Sequence, residues 1–198
     1  TLTPERSQEY LHFMEDGLRR VQRIVRQLLD FSRQREPELA LTDLHPILDR
    51  VLVLTEHVFL AKHATLNKDY DQTLPPVMVD AHMIEQVMMN LILNAVQSLK
   101  EGGQVTVRTR KQEEGWEIEV EDTGCGISSE IRPHIFDPFF TTKGTGEGTG
   151  LGLSVSLGIV QQHGGEMLVD SEEGKGTRFT VRFPLARSRA GTPVKVGT

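Results

Sequence analysis

The chain has almost no cysteine. Cys125 stands alone among 198 residues, which excludes an internal disulfide framework and fits a reducing compartment. Aromatic residues make up only 6% and the formal net charge is −6, a balance that argues against nucleic acid as a main partner. No apolar run approaches the ~20 residues that span a bilayer; "VLVL" at 51–54 is typical of the longest. No HExxH or CxxC pattern gathers metal ligands and the seven histidines are scattered, so a zinc site is not expected. GxxxxGK[ST] and GxGxxG are both missing. That excludes the Walker P-loop, the Rossmann fingerprint and the glycine loop of eukaryotic-type protein kinases. No signal-peptide pattern is present and the chain opens on Thr1; we expect a cytoplasmic piece of a longer protein.

What is there is glycine, gathered in one place. Residues 144–153 read "GTGEGTGLGL", five glycines in ten positions, and run directly into the apolar "SVSLGIV". Ordering glycine costs conformational entropy, so such a run needs a reason. Glycines let several main-chain N–H groups converge on one anion, and a following helix N-terminus adds its positive dipole end. The functional reading is a phosphate-binding loop; a flexible surface linker is the bland one. The composition, 37% hydrophobic and 25% charged, describes a soluble globular chain of one or two domains.

Residues 1–35 read as one long helix. Leu11, Met14, Leu18, Val21, Val25 and Leu28 step by 3 and 4, the seam of a coiled coil or bundle. Phe13, Ile24, Leu29 and Phe31 widen the stripe, which favours a bundle. One amphipathic helix cannot bury its own stripe, so a homodimer through residues 7–34 is expected. Residues 36–42 read as linker. Asp43 is placed to cap a helix to about Leu60, and 63–79 hold a short extended pair split by turn signals. A strong amphipathic helix covers 81–100, followed by two alternating strands, "QVTVRTRK" and "WEIEVED". A second helix is expected over 150–163, then two strands joined by "EEGKG". The tail, 186–198, reads as disordered.

Four clusters follow in order: Asn90 and Asn94 on one face of the 81–100 helix; "DTGCGI", with Asp122 at a strand end; "FDPFFTTK" leading into the glycine loop; and "EGKGT" in a hairpin turn. An Asn oxygen is a neutral hard ligand suited to Mg²⁺ that also bridges phosphates. A strand-end carboxylate can accept a hydrogen bond from the exocyclic amine of adenine. Gly124 and Gly126 let backbone approach a base closely, and N–H groups around Gly148, Gly150 and Gly152 can grip phosphates. Each motif also has a bland reading: an Asn pair that caps or bridges neighbouring segments, an aspartic-protease-like turn lacking its second copy, a plain hairpin. Cys125 reads as a small buried filler.

These motifs resemble the N, G1, F, G2 and G3 boxes of sensor histidine kinases. The catalytic domain of that family has the Bergerat ATP-binding fold of the GHKL ATPases. The resemblance covers 43–185, and "FFTTK…GTGLGLS" is similar to the nitrogen-regulation and PAS-linked branch. It implies an α/β sandwich, a mixed sheet packed by helices on one face, preceded by a bundle-forming helix. It implies ATP and Mg²⁺ as ligands, with Asn94 on the metal and Asn90 near the phosphates. Asp122 would read adenine, with Gly124, Gly126, Ile127 and Thr177 supporting the base. Lys143, Gly148, Thr149, Gly150, Leu151, Gly152 and Leu153 would belong to a mobile flap closing over the nucleotide. The arginine-rich seam helix ending in "LLDFSR" resembles the second helix of the dimerisation and phosphoacceptor domain.

Two departures stand out. None of the seven histidines has the family's acceptor setting, so the phosphoacceptor helix is expected outside this chain, with a response regulator as onward partner. His12 reads as a bundle-surface residue. Gln97 puts no charge where many family members carry a basic residue, which would shift that load to Lys143 or another flap residue. The leading expectation is a kinase core; a GHKL-type ATPase and a non-catalytic nucleotide-sensing dimerisation module are the alternatives. In hydrolytic relatives a Glu stands one turn before the metal-binding Asn; here that position is Asn90, which cannot act as a general base.

Overall fold

The computed structural model describes residues 10–11, 14–15, 17–18, 36–112, 115–144 and 148–184. His12, the seam from Val21 to Leu28 and the tail at 186–198 lie outside the described residues. The six described positions before residue 36 are helical, and Leu11, Met14 and Leu18 of the expected seam are all exposed.

Among the described residues, seven strands follow, with three α-helices and a short 3-10 helix (Arg132–His134) between them. Strand β1 (Ala40–Thr42) pairs antiparallel with β3 (Val77–Val79). A five-stranded mixed sheet runs in the order β2 (Thr65–Tyr70), β4 (Gln104–Gln112), β5 (Gly115–Asp122), β7 (Gly176–Pro184), β6 (Glu166–Glu172). Only β2 and β4 are parallel; β4–β5, β5–β7 and β6–β7 are antiparallel. Helices α1 (His45–Ala61), α2 (Ala81–Ser98) and α3 (Gly152–Gln162) pack on one face, with α2 between the other two.

The hydrophobic pattern dictates α2. Ile84, Val87, Met88, Leu91, Ile92, Ala95 and Val96 recur at helical spacing and are all buried, forming the stripe that faces β4 and β5. The Asp80 carboxylate caps the helix, accepting the N–H groups of His82 (3.0 Å) and Met83 (3.2 Å). The same carboxylate accepts the Glu38 N–H at 3.0 Å. Burial works to raise the Asp80 pKa, but these three N–H donors outweigh it and hold the carboxyl below the ordinary range. The Asp80 N–H in turn donates to His163 Nε2 at 2.9 Å, while His163 Nδ1 lies 2.8 Å from Ile159 O at the end of α3. Those two partners fix the tautomer: Nδ1 carries the proton and Nε2 accepts. The start of α2 thus joins the segment before β1 to the last turn of α3.

Four sequence expectations change. Residues 40–42, read as linker, form β1. The extended segments at 63–79 do not pair with each other: β2 joins β4 and β3 joins β1. Pro75 and Pro76 between them cannot donate to a ladder, and Pro75 O instead accepts the Trp116 Nε1–H at 2.7 Å. Helix α3 begins at Gly152 rather than Gly150, because Gly150 sits at φ +68°, outside the helical region. Asp43, expected to cap α1, does not hold the N-cap position: Leu44 fills it, with no side-chain cap bond. Asp43 stands one residue earlier, where its Oδ1 accepts the His45 N–H at 3.0 Å.

The sheet's other face is a charge ladder. Glu117, Glu119 and Glu121 of β5 lie between Arg108 of β4 and Arg178 and Arg182 of β7. Arg108 pairs with both Glu119 and Glu121, Arg178 with Glu121 at 2.7 Å, and Arg182 with Glu117 at 2.7 Å.

Candidate functional site

The register places Asp122, the last residue of β5, opposite Thr177 at the start of β7. Asp122 is only 5% exposed, as is Thr177. Its Oδ1 accepts the Gly124 N–H at 2.8 Å, the backbone of Thr177 also donates to it, and Ser98 Oγ lies 2.9 Å away. Burial pushes the Asp122 carboxyl above the ordinary aspartate range and the negative Glu121 adds to this, against the pull of the Gly124, Ser98 and Thr177 donors.

Around this carboxylate the turn is built by close approach. A Cβ on residue 124 would come within 2.0 Å of Ser98 Oγ, so only glycine fits. Gly126 turns the chain at φ +67°, after which the Ile127 N–H donates to Ser171 Oγ at 2.8 Å. Ser171 Oγ also bonds Gly176 O and Thr177 Oγ1, each at 2.9 Å. The turn after β5 and the β6–β7 hairpin are thereby stitched together. Cys125 between the two glycines is exposed, not the buried filler expected from its type. Its main chain does the work: N–H to Ser98 O at 3.1 Å, C=O from Gly174 N–H at 2.7 Å.

A second cluster runs along α2. Asn90 Nδ2 donates to Ser156 Oγ of α3 at 3.0 Å, and Asn94 Nδ2 reaches Asn90 Oδ1 at 3.5 Å. A Cβ on residue 152 would meet Asn90 Oδ1 at 2.2 Å, so Gly152 is what lets α3 sit against Asn90. Asn94 Oδ1 accepts from Lys143 Nζ at 3.2 Å, and Lys143 Nζ also donates to Gln97 Oε1. Asn90, Asn94, Gln97 and Ser98 therefore line one side of a single helix and connect the Asp122 turn to the start of α3. In this arrangement Asn90 is an inter-helix bridge.

The glycine loop packs rather than dangles at its described positions. Gly150 O accepts the Phe139 N–H at 2.9 Å, and a Cβ on residue 148 would lie 2.3 Å from Thr141 Oγ1. Leu151 is buried and serves as N-cap of α3 without any side-chain cap hydrogen bond. The first turn of α3 thus presents N–H groups that no side chain caps, the electrostatic condition for holding an anion. Leu153 packs on the core, and Thr149, just before Gly150, is half-buried. Sequence reasoning missed Ser98, Ser156 and Ser171. Ser98 was findable, since it follows Asn90 and Asn94 at the same four-residue spacing; the other two become visible only in three dimensions.

A mixed five-stranded sheet under three helices is the architecture of the GHKL catalytic domains. The chain belongs to the family described as histidine kinase-, DNA gyrase B-, and HSP90-like ATPase, whose model matches residues 79–187. It is 34% identical over 179 residues to the signal transduction histidine-protein kinase AtoS of Escherichia coli, an alignment covering 90% of this chain and 29% of AtoS. Full-length ShkA in complex with AMPPNP superposes with TM-score 0.80 at 26% identity, over 93% of this chain and 40% of ShkA. Histidine kinase ThkA in complex with the response regulator TrrA gives 0.76 at 27% identity, over 93% of this chain and 53% of that one. The chain thus spans less than a third of AtoS. Among the described residues no helix is long and apolar enough to cross a membrane.

Proposed function

We propose that this chain is the catalytic core of a sensor histidine kinase. It binds Mg-ATP and passes the γ-phosphoryl group to an imidazole nitrogen on a bundle helix outside the chain, releasing ADP, for relay to a response regulator. The observation that carries the reading is the buried Asp122 carboxylate at the end of β5, held by Gly124, Ser98 and Thr177. A buried anion with its pKa pushed up is costly for the fold and is explained by a ligand that donates to it. The exocyclic amine of adenine is such a donor.

The remaining residues divide the nucleotide between them. Gly124, Gly126, Ile127 and Thr177 shape the base end. Gly148, Thr149, Gly150, Leu151, Gly152 and Leu153 form the phosphate wall, with the uncapped first turn of α3 supplying N–H groups and its dipole. The residues fit a magnesium ion that is shared with the phosphates. The Asn94 carboxamide oxygen already accepts from a cation, the Lys143 ammonium. No group of three or more His, Cys, Asp or Glu side chains among the described residues could hold an ion by itself, in keeping with a metal that keeps its waters and leans on phosphate oxygens. When bound, it would neutralise developing charge on the transferred group. Asn90, bridged to Ser156 where a hydrolase would need a carboxylate base, favours transfer over hydrolysis. The exposed Leu11, Met14 and Leu18 support a homodimer through residues 7–34.

The test is transfer itself. With γ-labelled ATP and a bundle domain bearing the acceptor histidine, acid-labile, base-stable label should appear on that histidine. Robust phosphate release without transfer would make this an ATPase, and ATP affinity without either would make it a sensing module.

A further inference from the structure

Position 97 carries no charge, yet the structure brings one to it. Lys143 lies 46 residues further on in sequence, and its ammonium donates to both Gln97 Oε1 and Asn94 Oδ1, the latter at 3.2 Å. The hydrogen-bond ladder on α2 orients this pair. Because Asn94 Nδ2 is turned toward Asn90 Oδ1 and Asn90 Nδ2 toward Ser156, the Asn94 oxygen faces outward to Lys143. Gln97 stands one turn along, at the spacing that puts two side chains side by side. The loop side is arranged as well. The Lys143 N–H donates to Thr141 Oγ1 at 3.2 Å, and residue 148 folds so closely over Thr141 and Lys143 that a Cβ there would clash.

We infer that Gln97 is a positioning residue: with Asn94 it forms a carboxamide fork that holds the Lys143 ammonium at the phosphate end of the nucleotide site. Both oxygens are neutral, so the fork orients the ammonium while adding no negative charge of its own. The fork therefore supplies from the loop wall the positive charge that the helix wall lacks. A magnesium ion and an ammonium cannot share Asn94 Oδ1, since like charges in contact repel strongly at the protein surface. Gln97 gives Lys143 a second anchor, one that would remain were Asn94 to hold the metal. The inference rests on the ATP reading above and adds one residue to it.

Both side chains are exposed, so substitutions should leave melting unchanged, and calorimetric titration with ATP and with AMP separates the possibilities. Lys143→Gln and Gln97→Leu should each weaken ATP about tenfold and leave AMP unchanged. The double variant Gln97→Leu/Lys143→Gln should be no weaker than Lys143→Gln alone, because Gln97 acts only through the lysine. The exchanged pair Gln97→Lys/Lys143→Gln should recover most of the ATP affinity. Unchanged ATP affinity in Gln97→Leu, penalties that multiply in the double variant, no recovery in the exchanged pair, or an equal loss for AMP would each overturn the inference. A wild-type chain that binds no ATP at all would overturn the ATP reading, and this inference with it.

Discussion

Glu121 and Asp122 are neighbours on one strand, and their carboxyls are pushed in opposite directions. Glu121 points to the open face. Partial burial works to raise its pKa, but the guanidinium groups of Arg108 and Arg178 outweigh it and hold it below the ordinary range. Asp122 points inward, where burial dominates and no cation among the described residues answers it. One carboxylate is answered by guanidinium groups and the other by the neutral donors of Gly124, Ser98 and Thr177. The contrast extends over each face: the open side is a ladder of Glu and Arg, while the inner side is apolar along β5 until its last residue. A polar group that breaks such a pattern marks a site, and one that completes it marks a surface.

The largest effect belongs to the inner face. Trp116, at the opposite end of β5 from Asp122, is fully buried, donates to Pro75 O and lies 5.3 Å from the His45 ring. Trp116→Ala should cost about 3–5 kcal/mol of stability by denaturant titration, with ATP affinity retained in the folded fraction. A loss of binding without a loss of stability would break the division between the two ends.

Next comes Asn94, the residue proposed to hold the magnesium ion. Asn94→Ala should weaken ATP about tenfold with Mg²⁺ present, the size of one lost coordinating contact, and much less in EDTA. Equal losses in both would make Asn94 a packing residue.

The paired carboxylates then predict a pH window. A raised pKa such as that of Asp122 contributes stability at low pH and loses it as pH rises through the folded value. A lowered one such as that of Glu121 contributes at higher pH and loses it as pH falls through its folded value. On acidification Asp122 therefore protonates first, which takes the charge out of its proposed hydrogen bond with the adenine amine while favouring the fold. Between the two pKa values ATP binding should fade while circular dichroism stays native. Coincident loss of both signals would contradict the assignment.

The smallest effect is on the open face. Glu121→Gln should change stability by no more than about 1 kcal/mol, diminishing with salt, and should leave ATP affinity alone.

How much of this was legible in the sequence varies with the range of the interaction. Local periodicity placed α2 and the β4–β5 and β6–β7 hairpins, because burial at spacing 3.6 or 2 leaves its mark along the chain. It misplaced the start of α3, since the chain can turn left-handed at Gly150 and still carry an apolar helix pattern. The parallel β2–β4 pairing was invisible, because nothing local to Leu66 names Val105 as its partner. The motif glycines were noticed for freedom to bind phosphate, but the structure gives Gly124 and Gly152 a packing reason as well: Ser98 and Asn90 occupy the space of their missing Cβ atoms. Gln97 read as a deficiency because its partner, Lys143, lies far along the chain.

The central claim is that the inward carboxylate at the end of β5 exists for adenine rather than for the fold. Asp122→Asn keeps an acceptor for Gly124 and Ser98 but removes the charge, so melting should be unchanged or slightly raised. Calorimetric ATP affinity should fall about ten- to a hundredfold, the loss of one charge-assisted hydrogen bond of ~1.5–3 kcal/mol. ATP affinity equal to wild type in a folded Asp122→Asn protein would contradict the account.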